Sequence, residues 1–120
     1  MKKQYLKIAD QQYTLVHKVR VKGVDDALGY LAADAICSYM KYIFYKITSF
    51  ENHKLMKGNR LIEIKDHVLQ YELSTKMPVT GLSVVEKLLD DKSMQLTAKE
   101  HELIVELMNG LHEYVHNVLE

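Results

Sequence analysis

The stretch from Ala27 to Ile47 carries more apolar surface than one face of a helix can hide. Gly23 ends whatever precedes it, and Asp25 or Asp26 supplies an N-cap for a helix that runs to about Thr48. At 100° per residue, Asp34, Ser38, Lys41, Tyr45 and Thr48 fall within about 40° of one line. Leu28, Leu31, Ala35, Ile36, Tyr39, Met40, Ile43, Phe44 and Ile47 cover the remaining circumference. Asp34, Lys41 and Lys46 interrupt the run, which argues against a membrane span, so no membrane partner is expected. The helix must therefore be enclosed by the rest of the chain or by a partner. Gly29, Ala33 and Cys37 form a small-residue ridge where a neighbouring helix or a second subunit can approach closely.

What encloses it is read from periodicity. Residues 12 to 22 alternate, with Tyr13, Leu15, His17, Val19 and Val21 on one side and Thr14, Val16, Lys18, Arg20 and Lys22 on the other, the pattern of a half-buried strand. Tyr5 to Ile8 offers a short partner strand, with Asp10-Gln11-Gln12 as the reversal, although no glycine marks that turn; a helix over 4–19 competes. Beyond a polar loop from Glu51 to Asn59, Ile62 and Ile64, then Leu69, Tyr71 and Leu73, alternate again. This predicts a second hairpin turning near Asp66-His67, while a helix over 61–73 would place Leu61, Ile64, Val68 and Leu69 on one side. The single proline, Pro78, lies in a connection from Ser74 to Gly81. Two capping boxes follow, Ser83-x-x-Glu86 opening a short helix to about Asp91 and Thr97-x-x-Glu100 opening a final helix to about Leu119. Ile104, Leu107, Met108, Leu111, Tyr114, Val115 and Val118 form the apolar stripe of that last helix. The expected fold is α+β: a small antiparallel sheet of two hairpins, packed by one long central helix and a C-terminal helix pair, in a single domain over residues 1–120.

Hydrophobic residues at 48% and charged residues at 27% place the chain among folded proteins rather than disordered ones. Its zero net charge conceals an asymmetry. Residues 1 to 23 set Lys2, Lys3, Lys7, Lys18, Arg20 and Lys22 against Asp10 alone, whereas residues 82 to 120 hold eight acids against Lys87, Lys92 and Lys99. The lone Cys37 has no internal disulfide partner and no apolar leader follows the first lysines, so a reducing, cytoplasmic location is expected.

The residues closest to catalytic chemistry are on the last helix. His112-Glu113-Tyr114-Val115-His116 has the spacing by which two helical histidines bind zinc with an intervening glutamate as base. A third ligand must come from His101, His17, His53, His67 or a carboxylate. Cys37 lies in the most apolar helix with no base beside it, and no phosphate loop, serine nucleophile or acidic metal loop occurs. The string Leu96 to Ile104 resembles the first helix of some winged-helix regulators, but an acidic helix follows where a recognition helix and basic wing belong.

These features favour a non-enzymatic, cytoplasmic binding or regulatory protein that requires no cofactor and docks on a protein partner or on itself as a homo-oligomer. Tyr39, Tyr42 and Tyr45 step by about 60° from the buried side of the central helix to its polar stripe, and with Lys41 they are the expected partner-binding residues. The basic strand face of Lys18, Arg20 and Lys22 makes nucleic acid the alternative partner. Zinc-dependent hydrolysis through His112 and His116 is the remaining alternative.

Overall fold

The central apolar segment is a helix, α2 (Asp26–Thr48), and it is enclosed as its circumference demands. The computed structural model describes residues 2–21, 26–48, 61–70, 77–91 and 95–119. Around α2 lie α1 (Lys2–Val21), α3 (Leu61–Val68), α4 (Leu82–Asp90), α5 (Ala98–Tyr114) and a π-helical turn, Val115–Leu119, that continues α5. Each of them packs on α2. Ile36, Tyr39, Met40 and Ile43 of α2 are fully buried, and of its described side chains only Asp34 and Lys46 stand exposed. No helix among the described residues is long and apolar enough to cross a membrane.

The α+β expectation fails, because no strand occurs among the described residues and the architecture is a helical bundle. In α1 the outcome is clearest at two neighbours. Leu15, assigned to the buried side of a strand, is 44% exposed, whereas Val16, assigned to its wet side, is fully buried. Ala9 and Val16 are the buried centre of a helical face flanked by the partly buried Tyr5, Tyr13 and Val19, a spacing of three and four that alternation had masked. The physical reason is the reversal. A two-residue hairpin turn needs residues that accept positive φ, and Asp10-Gln11-Gln12 has no glycine. A helix meets its backbone hydrogen bonds locally and leaves one face to pack on α2.

The second expected hairpin is also helical where it is described. Leu61, Ile64 and Val68 are fully buried along one face of α3, and Leu69, just past its end, is 46% exposed. The loop at 51–59 and residues 71–76 lie outside the described residues.

The two capping boxes part company. Thr97 caps α5 as expected, its hydroxyl accepting from the Glu100 N–H at 3.1 Å while Glu100 Oε1 accepts from the Thr97 N–H at 2.9 Å. Ser83 does not cap α4, which begins at Leu82 behind Gly81 with no side-chain cap. Here the Leu82 N–H donates to Val79 O at 3.2 Å, closing a turn whose third residue, Gly81, has φ 98°. Positive φ at that position favours glycine. The small-residue ridge is used within the chain, since a Cβ on Gly29 would lie 2.7 Å from Leu96 Cδ1 and 3.2 Å from His101 Cε1.

Thr97→Ala should therefore destabilise the protein by about 1 kcal/mol, while Ser83→Ala, at an exposed position without a capping bond, should stay within about 0.5 kcal/mol of the parent. Urea denaturation of the two variants measures the contrast.

Candidate functional site

Asp10, Tyr13 and His17 of α1 are spaced i, i+3 and i+7, so they lie within about 60° of one line. Asn109 and His112 of α5, with His116 in the π-helical turn, repeat that spacing. The two rows meet in opposite order. His116 Nε2 lies 3.0 and 3.1 Å from the two Asp10 carboxylate oxygens. The Tyr13 and His112 rings stack at 3.8 Å between centroids, 5° from parallel. His17 Nε2 donates to Asn109 Oδ1 at 3.0 Å. α1 and α5 are thus joined by three polar or aromatic rungs.

A fourth residue enters from α2. The Tyr39 hydroxyl lies 2.6 Å from Asp10 Oδ1 and 2.8 Å from His112 Nδ1. It has one proton. Donated to the carboxylate, the stronger acceptor, it leaves the phenol oxygen to accept from His112, which places the imidazole proton on Nδ1. His116 donates its Nε2–H to the same carboxylate. Burial, helped by the Asp10 hydrogen bond and charge, pushes the Tyr39 phenol well above its ordinary range, so it remains a donor. Burial also pushes His112 below the usual imidazole range, and His116 adds to this while Asp10 opposes it. Burial thus favours the neutral imidazole at His112; for its Nδ1 to ligate a metal, the ring proton would move to Nε2 and the bond to Tyr39 would be given up.

The donor atoms of Asp10, His112 and His116 all lie within 4.8 Å of one another. A tetrahedral zinc ion with bonds of about 2.1 Å separates its ligand atoms by roughly 3.4 Å. His116 Nε2 and His112 Nδ1 lie 3.0 and 3.5 Å from Asp10 Oδ1, which brackets that edge. Hydrogen bonds therefore hold the cluster near the size that an ion requires. The site is also open, with the side chains of His112, Asp10 and His116 at 29%, 36% and 36% exposure. His116 sits where α5 widens into its π-helical turn, an irregularity that often marks functional positions.

No family model, curated protein or solved structure matches this chain.

The expected site residues are scattered by the fold. His112 and His116 come together, but Glu113, the base of the sequence motif, is exposed and lines a separate hollow beside Pro78 and Gly110. His101 is buried near Gly29, about 16 Å along the helix from His112, and its Nδ1 has no hydrogen-bond partner among the described residues. His17 is held by Asn109. His53 and the His67 side chain lie outside the described ones. Among the described residues, the carboxylate of Asp10 is the candidate third ligand beside the histidine pair.

Tyr39, Tyr42 and Tyr45 are 0%, 2% and 4% exposed, covered by the chain's own helices, so none of them presents a surface to a partner. Tyr45, expected on the polar stripe, instead stacks on Tyr5 at 5.2 Å, with the half-buried Lys41 ammonium 6.0 Å from the Tyr5 ring. The strand face of Lys18, Arg20 and Lys22 does not form. Positions 18 and 20 of a helix are about 160° apart around its axis and so share no face, and the Arg20 side chain and Lys22 lie outside the described residues. Cys37 is buried, which raises its thiol pKa against the opposing effect of Lys41.

Asp10 escaped the sequence reading because alternation assigned it to a turn. Its signal was the shared spacing of Asp10-Tyr13-His17 and Asn109-His112-His116, which becomes meaningful only once both segments are helical.

Tyr39→Phe should cost about 1–3 kcal/mol of stability, since it removes a buried donor to a charged acceptor with little change in volume; chemical denaturation measures it. Cys37 should react with a neutral alkylating reagent on the order of 100-fold more slowly in the native protein than in urea, as timed mass spectrometry would show.

Proposed function

We propose that this protein binds a divalent transition-metal ion, zinc by its ligand chemistry, through Asp10, His112 and His116. One observation carries the reading: three donors from opposite ends of the sequence converge within 4.8 Å at a partly exposed position. Two imidazoles and a carboxylate suit zinc, and three protein ligands leave a further position for water or a bound molecule. The surroundings support the same reading. Tyr39 holds the Asp10 carboxylate, and Tyr13 stacks on the His112 ring, so two of the three ligands are oriented before an ion arrives. The reading leaves out the alternative of zinc-dependent hydrolysis, because Glu113 is exposed and is not among the clustered donors.

Saturating zinc, at about 100 times its dissociation constant, should stabilise the protein by about 2.7 kcal/mol. That raises the melting temperature by several degrees. His116→Ala and Asp10→Ala should abolish the rise, and Glu113→Gln should retain it. A parent protein whose melting temperature is indifferent to zinc, and which yields no bound metal on elemental analysis after purification, would rule the reading out.

A further inference from the structure

The α1–α5 pair carries opposite charges on one outer face. Lys7, Gln11, Thr14 and Lys18 are exposed and lie within about 60° of one line on α1, turned about 90° beyond the row that meets α5 and opposite the buried Ala9 and Val16. Glu102, Glu106 and Glu113, also exposed, lie within about 40° of one line on α5, about 90° beyond the row that meets α1 and opposite the buried Ile104, Met108 and Leu111. Both ridges thus look away from α2, side by side. None of these five charged residues has an ion-pair partner among the described residues. Apolar surface borders each ridge on its far side. Ile8 and Leu15 of α1 are 45% and 44% exposed, and Val118, at 45%, borders a hollow of about 330 Å³ next to Pro78, Gly110 and Tyr114. Three of the four large apolar side chains that stand exposed among the described residues therefore flank one face.

We infer that this face is the interface of a homodimer, in which α1 of each copy lies antiparallel on the partner's α5. A two-fold axis parallel to the helices and outside the α1–α5 layer puts each basic ridge over an acidic one and makes every contact twice in a closed pair. A two-fold across the helices would set basic on basic and acidic on acidic, which charge repulsion disfavours. The polar rungs fix the heights. Asp10 is level with His116 and His17 with Asn109, and a parallel axis preserves those levels between copies. Lys18 then falls about 3 Å along the helix from the partner's Glu106, and Lys7 about 9 Å from the partner's Glu113, each within the combined reach of the two side chains. Ile8 falls level with the partner's Val118, and Leu15 beside the partner's Gly110, at the mouth of the hollow. One symmetry operation thus pairs the unpartnered charges and covers the exposed apolar side chains together.

Sedimentation equilibrium of the full chain, with a chelator present so that the result is separate from the metal reading, should give twice the 13.9 kDa chain mass. Leu15→Asp should weaken dimerisation by at least about 100-fold, because a buried carboxylate replaces apolar contact in both copies. Lys18→Glu should weaken it by about tenfold, and Lys18→Glu combined with Glu106→Lys in one chain should restore it, since the exchange rebuilds the pair across the axis. These positions are exposed in the single chain, so far-ultraviolet circular dichroism should stay at the parent's helical level, and rescue by the double variant reads the contact itself. A parent that sediments as a monomer up to about 1 mM overturns the interface. A dimer indifferent to Leu15→Asp forms through another face, and a Lys18→Glu dimer that Glu106→Lys does not restore has α1 against something other than the partner's α5; either result overturns the proposal.

Discussion

The structure depends on covering α2. A helix that is apolar around most of its circumference has no wet side to offer, so neighbours must be packed against it from several directions. α1, α3, α4, α5 and the π-helical turn all meet that demand. The same demand creates the polar site. Tyr39 sits in the middle of α2 with no exposed surface, yet its hydroxyl must be paired, because an unpaired buried polar group costs more than most single contacts return. Asp10 from α1 and His112 from α5 pair it at a place where those three helices converge.

One carboxylate then serves several donors. Asp10 accepts from Tyr39 and from His116, and His112 Nδ1 lies 3.5 Å from it. Such a cluster is compact because protons sit between its heteroatoms, and for the same reason it is close to the dimensions of a metal polyhedron. Partial burial works in the same direction by disfavouring a positive charge on His112. Aromatic stacking and a phenol hydrogen bond limit how far the ligands can turn, which is the contribution that outer groups make to a metal site.

Legibility in the sequence followed the range of the interactions involved. The bounds of α2 and the Thr97 cap were readable because each rests on residues within a few positions of one another. The Ser83 box failed because a tertiary feature, the Gly81 turn packed against Leu103, started the helix earlier. α1 and α3 were misread as strands because a short run such as Ile62-Glu63-Ile64 satisfies both periods, and only contact with α2 selects between them. The buried tyrosines show the same limit. A helical wheel places Tyr45 at a wet edge, but it cannot know that Tyr5 of another helix will cover it.

The sequence by itself determined that a long segment near the middle of the chain had to be a covered helix, that α5 starts at Thr97, and that His112 and His116 share one side of it. Those properties come from apolar periodicity and from hydrogen bonds between near neighbours. Only the tertiary structure decided that the covering layer is helical and that Asp10 meets a histidine 106 positions away. The reason is geometric. Which faces of α1 and α5 oppose each other is set by how both pack on α2, and no local pattern in either segment specifies that angle.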